Sequence, residues 1–565
     1  MNYVGTARPI HDAKGKATGY TKYAGDLSLP NMAYLCMLHS KIPHGYVKAV
    51  HAEKALALPG VYGVYHCLNT TDRKYNRYRS NFDQAYLPNE ECAFNDYVRF
   101  VGDKIGVVAA CDQETAERAA RLVEVEYEEL PFSIGFDDTL AGKNCLEGET
   151  PVRDEYTLDV VKKQESTEGL IEVCSTMELP RLHHATMETH ACIADYDPYI
   201  DMLTVYCPNQ AVHGIRTVLA DYLEMPESHV RVIKATMGGS FGAKQEWFLE
   251  PVAALVAKKL CCPVKLVYSR GEAMTDTIVR GAMRMSARGY YTPDGEMKEI
   301  YCDVTLDAGA YIGNAGDYIR ALAGKPTRCY RIPYMHYHGQ VISSNSPVSG
   351  AFRSWSAAEE ALMMERQIDA AAEKLGIDRL TIRLKNAAHA GKEDKKLHLS
   401  LEDIRIGDAI TLGSEKFGWD KLKAEDAAFN ASQQRYRRGV GIGIGGHGNT
   451  YFPRFNDYGE GSISLNADGS MPANFTLHDH GCGTVTAMRM IAAEVLKVPE
   501  DKIYMTEGDT AVTPIDYGCF ASRTTYVVGR AVQDAANALR KKMLQAASPL
   551  LDIPEDKLFL NNSHI

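Results

Sequence analysis

The sequence predicts a multidomain protein of mixed α/β type. Three observations carry this. At 565 residues the chain exceeds what one hydrophobic core serves, so about two to four domains are expected. Strand-like and helix-like runs alternate along it. A segment also repeats: "LEMPESHVRV" (223–232) aligns without gaps with "LKVPEDKIYM" (496–505), at an offset of 273 residues. The apolar helix face ahead of the first copy, Ile215, Val218, Leu219 and Tyr222, falls on Met488, Ile491, Ala492 and Val495. Helix register therefore repeats along with sequence, which points to duplication.

Composition narrows the function classes. Hydrophobic content of 45% and charged content of 24% are those of a globular protein. No run of about 18 apolar residues predicts a membrane span, and Met1 to Lys14 has no apolar signal core. A net charge of −11 without a basic cluster argues against nucleic acid as partner. The 14 cysteines are scattered, with no Cys-x-x-Cys, so reduced thiols in a cytoplasmic protein are expected rather than a zinc ribbon or iron–sulfur cluster.

In chain order, residues 1–135 read as a mixed α/β unit. "AEKALALPGVYGVYHCL" predicts a short helix, a turn at Pro59-Gly60 and a strand. "RFVGDKIGVVAACDQETAERAARLVEVEYEELP" predicts strand, helix and strand, with Asp112 as helix N-cap. Residues 136–170 are polar and irregular and read as a linker. Residues 171–400 follow, with a strand in "LTVYCPNQ" and a helix after it. The clearest helix is "SWSAAEEALMMERQIDAAAEKLG", where Ser356 and Glu359 fit a capping box and Gly376 a stop. Residues 401–565 reprise the plan. "VGIGIGGHG" (440–448) lacks the acidic residue that closes a dinucleotide-binding unit, and reads as a strand packed closely on another backbone.

Between the strand at Val230–Ile233 and the apolar run from Phe248 lies "KATMGGSFGAKQE" (234–246). Gly238, Gly239 and Gly242 permit positive φ, and successive N–H groups in such a turn make an anion nest. A tight strand-to-helix loop is the plainer reading. The repeat would bring two helix N-termini to the cleft, and such termini attract phosphates and oxyanions.

"MGGSFGAKQ" (237–245), "SGAFRSW" (349–355), "DHGCGT" (479–484) and "TPIDYGCFASRTTY" (513–526) occur in an order that resembles the molybdopterin-binding subunits of the molybdenum hydroxylases, the xanthine dehydrogenase and aldehyde oxidase family. "PHGYVKAVHAEKALALPGVYGV", "HHATMETH" and "LTIRLKNA" resemble it too. The resemblance implies an α/β hammerhead-like domain (1–135), a linker (136–170), and two elongated molybdopterin-binding domains, 171–400 and 401–565, the last incomplete.

It also implies a molybdenum–molybdopterin cofactor, in the cytosine dinucleotide form, and a set of site residues. Gln210, Phe241, Arg353 and Ala521 match positions around the metal. Gly239, Gly242, Phe352, Gly481, Cys482, Gly483, Thr484 and Ser522 match the loops around the pterin, with Cys482 where glutamine is usual. Trp355 and Tyr451 match the aromatic pair that sandwiches a flat ring, Gln245 a ring-binding position, and Arg320 an arginine that steadies charge on purines. Ser354 stands where the carbon monoxide branch carries cysteine.

The implied reaction is hydroxylation of a purine or other N-heterocycle with water-derived oxygen, assisted by a glutamate base. The Gly-Glu-Pro-like segment of that base has no counterpart: Gly148-Glu149 lies too early, and Glu507-Gly508 is reversed. The expectation is a companion chain supplying the remaining C-terminal part, beside a [2Fe–2S] subunit and an FAD subunit. A reductive aromatic-thioester enzyme resembling 4-hydroxybenzoyl-CoA reductase, and an inactive truncated scaffold, stay open as alternatives.

Overall fold

The computed structural model describes residues 3–78, 87–143, 146, 150–160, 166–394, 398–432, 435–448 and 456–565. Its largest element is a seven-stranded sheet. From one edge the order is Val230–Lys234, Met202–Cys207, Ala191–Asp197, Val264–Val267, Ala33–His39, Lys104–Ala110 and Val61–His66. The N-terminal unit and the first glycine-loop unit thus share one sheet, joined by the parallel pairing of Ala33–Leu35 with Val264–Leu266. Lys104–Ala110 is buried along its whole length, which explains its run of Ile, Val and Ala. The strand–helix–strand reading of 99–131 holds: Asp112 caps Gln113–Ala120 by accepting from the Thr115 N–H, and Glu124–Glu129 follows.

A second, five-stranded sheet runs Val152–Val160, Tyr334–Ser343, Met297–Gly309, Ala282–Tyr291 and Ile171–Leu179. The helix Ala357–Leu375 lies across two of its strands, burying Met363, Met364, Ile368, Ala371 and Ala372. Each large apolar side chain buried this way contributes about 1.5–3 kcal/mol. The third sheet, Gly461–Ile463, Met471–Phe475 and Ile503–Met505, is covered by the helices Thr484–Leu496 and Thr524–Leu551.

The two repeated units match in detail. Each has a helix ending on a left-handed residue, Glu224 (φ 55°) or Lys497 (φ 54°). Each continues through Pro226 or Pro499 into a single 3₁₀ turn. Each then enters a strand that pairs in parallel with the strand preceding the helix.

Three expectations are corrected. Val152–Val160, inside the segment read as a linker, is an edge strand. Glu155 and Asp159 are exposed while Tyr156 and Leu158 pack inward, so one-sided burial hid it. Ser356 has φ 57° and makes no cap; its hydroxyl bonds to Lys325 Nζ and Glu359 pairs with Arg280 instead. Residues 440–448 alternate between exposed and half-buried and lie beside Cys329, Ala361 and Glu365, but join no strand among the described residues. Helix side chains, not a neighbouring backbone, take up that closeness.

Candidate cofactor site

Gln210 follows the strand Met202–Cys207 and precedes the helix Val212–Leu223. Its backbone N–H donates to the Lys244 carbonyl at 2.9 Å, and its carbonyl accepts from the Cys519 N–H at 2.9 Å. Its side-chain amide donates to the Cys519 carbonyl and accepts from the Ser240 hydroxyl. One buried residue therefore ties the glycine loop of the first unit to the 518–522 loop of the second. The Arg353 N–H donates to the Phe241 carbonyl at 2.7 Å, adding the Ala351–Trp355 turn. Gln210, Phe241, Arg353, Ala521 and Ser522 are thus carried by four loops joined at one junction.

The backbone here is costly. Phe241 (φ 57°), Ser354 (64°), Ser356 (57°), Ala521 (51°) and Ser522 (52°) all occupy the left-handed region. Each such residue costs about 1–2 kcal/mol, and strain of this kind clusters at functional sites. Gly242 has φ 105°, and a Cβ there would lie 2.7 Å from the Ala351 carbonyl oxygen, so the close approach of the two loops requires glycine. Phe241 remains 48% exposed, its ring presented to open space rather than to the core.

Two carboxylates missed by sequence reasoning brace this junction. Glu188 accepts from Lys244 Nζ at 2.5 Å and from the Gly238 N–H at 2.6 Å, pinning the glycine turn. Burial lowers the Lys244 pKa, opposed by Glu188. Glu246 is fully buried and accepts from the Ala351 N–H at 3.2 Å. Burial pushes its carboxyl up to about 8, with Arg77 opposing. Glu188 sits in "HHATMETH" and Glu246 ends the glycine stretch, so location was the only available signal.

Phe352 stacks on His184 with centroids 4.1 Å apart, and the Arg280 guanidinium lies 4.3 Å from its ring. Burial pushes His184 down to about 3, so that ring stays neutral. Trp355 packs edge-on against Tyr318 at 5.1 Å, and its indole N–H is buried without a protein partner. Gln245 is half-buried between buried Lys244 and Glu246. Tyr451 lies outside the described residues, as does Gly148-Glu149.

Arg320 is not brought to Trp355. It is bound to both Asp154 carboxylate oxygens, at 2.6 and 2.8 Å. It lies two positions beyond Tyr318, which turns it roughly 200° away around the helix. The Arg320 expectation is therefore corrected: helical phase directs it to the edge strand at Asp154.

On the second unit, Gly481 (φ 99°) and Gly483 (φ 78°) flank Cys482. Ahead of Thr484–Leu496, Asp479 accepts from the N–H groups of Gly481, Gly483 and Val485. The Val212 N–H of the other helix meets His478 Nε2 at 3.3 Å, and burial keeps that ring neutral. One first-turn donor of each helix, the Val485 N–H and the Val212 N–H, thus has an internal acceptor.

The residues nevertheless fit a bulky group seated against the loops. A Cβ on Gly481 would meet nothing within 4 Å, so that backbone faces open space. Gln210 has two amide N–H groups and gives one to Cys519.

Comparison with known proteins decides the family. Family models match in order: the aldehyde oxidase and xanthine dehydrogenase a/b hammerhead domain over residues 18–131, and the molybdopterin cofactor-binding domain over 157–387 and again over 412–565. The chain is 30% identical to the xanthine dehydrogenase molybdenum-binding subunit of Escherichia coli O157:H7, over 98% of this chain and 74% of that one. This chain belongs to the molybdenum hydroxylase family. As a molybdenum hydroxylase subunit it is also 31% identical to the nicotinate dehydrogenase large molybdopterin subunit of Eubacterium barkeri, over 67% of this chain and 88% of that one. The solved carbon monoxide dehydrogenase of Oligotropha carboxidovorans shares the fold, with a TM-score of 0.87 at 24% identity over 98% of this chain and 73% of that one. The chain is thus a molybdopterin-binding, molybdenum-dependent oxidoreductase subunit of mixed α/β fold. No helix among its described residues is long and apolar enough to cross a membrane.

Proposed function

We propose that this molybdenum hydroxylase subunit hydroxylates an N-heterocycle, purines foremost, with oxygen taken from water. The observation carrying this reading is the placement of Trp355. It lies two residues beyond Arg353, whose backbone is bonded to Phe241 at the Gln210 junction. A broad aromatic surface with a buried, unpartnered N–H so close to that junction suits a flat ring that carries acceptor nitrogens. The relatives named for xanthine and nicotinate support a heterocyclic substrate. Ser354, in place of the cysteine that the resemblance implies for the carbon monoxide branch, weighs against carbon monoxide.

When bound, the molybdenum–pterin group supplies two-electron redox chemistry and an activated water. The chain's own residues provide placement. Ser240 and Cys519 fix the Gln210 amide so that its second N–H is available at the junction. Phe241, Ala521 and Ser522, each held at positive φ, and Arg353, whose N–H donates to the Phe241 carbonyl, would border the metal position. Gly239, Gly242, Phe352 and the Gly481–Thr484 loop hold the pterin, in the cytosine dinucleotide form. Gln245, Trp355 and Tyr451 orient the substrate ring. Partner subunits bearing [2Fe–2S] clusters and FAD carry electrons away, a reading supported by the relatives' names as subunits.

The test is turnover by the purified complex with xanthine, hypoxanthine and nicotinate, against 4-hydroxybenzoyl-CoA under reducing conditions. Incorporation of labelled oxygen from water into a heterocycle supports the reading. Reduction of the thioester with no heterocycle turnover overturns it.

A further inference from the structure

The turn that carries Trp355 is held by side chains from three separate parts of the chain. Its alternate carbonyls are each taken: Ala351 by His184 Nε2 at 2.8 Å, Arg353 by Arg280 Nη2 at 2.7 Å and Trp355 by Lys325 Nζ at 2.6 Å. Lys325 also donates to the Ser356 hydroxyl at 2.6 Å. Both residues are buried, so these charge-assisted bonds form away from water, where they are strong. Ser354 (φ 64°) and Ser356 (φ 57°) bracket Trp355 in the left-handed region. Such backbone persists only where surrounding contacts impose it. Lys325 lies in the corner between the helices Ala315–Ala323 and Pro326–Cys329. The first of these carries Tyr318, whose ring meets the Trp355 indole edge-on. One helix corner therefore grips both the backbone and the ring of Trp355.

We propose that Lys325 is a positioning residue for the substrate: its ammonium fixes the Ser354–Ser356 turn and thereby the orientation of the Trp355 ring. The inference rests on the reading that Trp355 orients the substrate ring. Lys325 acts through Trp355 and is assigned no contact with a reacting atom. An ammonium offers three donors, and Lys325 sends two of them to successive residues of one turn, the Trp355 carbonyl and the Ser356 hydroxyl. A methionine of similar length offers none. Without the ammonium the turn is free to leave the left-handed region, and the indole swings with it against Tyr318. The Gln210 junction does not depend on these bonds. Arg353 keeps its N–H on the Phe241 carbonyl and its own carbonyl on Arg280. Loss of Lys325 therefore falls on substrate binding and leaves the rate of the bound state largely intact.

The test compares the purified complex with its Lys325→Met, Lys325→Arg and Ser356→Ala variants, normalised to molybdenum and pterin content. The substrate is xanthine or nicotinate, whichever the complex turns over. In Lys325→Met, KM should rise about tenfold while kcat stays within about twofold of the parent. Acrylamide quenching of Trp355 fluorescence, taken as the difference from the same protein carrying Trp355→Phe, should rise with it. Lys325→Arg should restore most of both. Ser356→Ala, which keeps the bond to the Trp355 carbonyl, should shift both readouts less and in the same direction; if Lys325→Met does not fold, this variant carries the test. Parental KM and quenching in the variants, or a loss of cofactor with Trp355 quenching unchanged, overturn the proposal. Parental KM in Trp355→Ala, with quenching still altered in Lys325→Met, overturns instead the substrate reading on which the proposal rests.

Discussion

Lys234 and Glu507 occupy equivalent positions in the two repeated units, 273 residues apart, and form an ion pair with each other. Around them the Lys234 N–H donates to the Gly508 carbonyl at 2.8 Å, and Arg231 grips Asp509 through two bonds of 3.0 and 2.6 Å. The duplication therefore closes on itself, strand end to strand end, next to the loops that carry the site. A chain that repeats a strand–helix–strand unit gains two loop ends facing one cleft, and here opposite charges at matched positions hold them together.

Glu507→Gln should loosen this seam. It leaves the Lys234 ammonium, whose side chain is almost wholly buried, without its carboxylate, at a cost of about 1–3 kcal/mol since Glu507 is one-third exposed. Hydrogen exchange should quicken in Val230–Lys234 and Ile503–Met505 while Lys104–Ala110 is unchanged. The swap Lys234→Glu with Glu507→Lys should recover part of the protection.

Gly242→Ala and Gly481→Ala separate steric from conformational cost. Both glycines have positive φ, but only at 242 does the methyl meet backbone, at 2.7 Å. Gly481→Ala should cost about 1 kcal/mol and, with its methyl in the space proposed for the pterin, lower pterin content less than Gly242→Ala does. Gly242→Ala should lower pterin content by about tenfold or more, measured by fluorescence of the released, oxidised pterin. Equal retention in both would remove the close-approach argument.

Gln210→Glu keeps the size of the side chain but sets a carboxylate against the Cys519 carbonyl. Loss of a positioned donor at a catalytic centre costs about 10²–10³ in rate. At equal molybdenum content, kcat/KM should fall by that order, whereas Gln245→Ala should mainly raise KM.

Glu246 makes stability depend on pH. Its folded pKa, near 8, lies above the ordinary value of 4.5 because burial disfavours the carboxylate. Unfolded chains release this proton from about pH 4.5 upward while the folded chain retains it, so stability falls between about pH 4.5 and 8 and levels off above. The total is a few kcal/mol. Glu246→Gln should flatten that slope in thermal unfolding followed across the range; an unchanged slope would assign it to other carboxyls, of which Glu250 and Glu360 are also raised by burial.

What the sequence made legible were features fixed locally. Asp112 ahead of Gln113–Ala120, Gly376 after Leu375, and Pro226 and Pro499 before their turns each answer a backbone requirement that only certain residues meet. The repeat was legible because both copies meet the same requirements. Val152–Val160 was not, because an edge strand needs only one apolar face. Glu188, Glu246 and the Asp154–Arg320 pair were not, because their partners are far away in the chain and no local pattern encodes them. Ser356 misled because a capping-box spelling does not set φ, and Lys325 and Arg280 outcompete the cap for its two side chains.

The central claim is that the two repeated units clasp a molybdenum-bearing pterin between the Gln210 junction and the Gly481–Thr484 loop. Joint determination of metal and pterin in the purified complex tests it most directly. The account predicts molybdenum, pterin and this chain in equal molar amounts, with both lost together in Gly242→Ala. A complex that turns over its substrate while holding neither molybdenum nor pterin would contradict it.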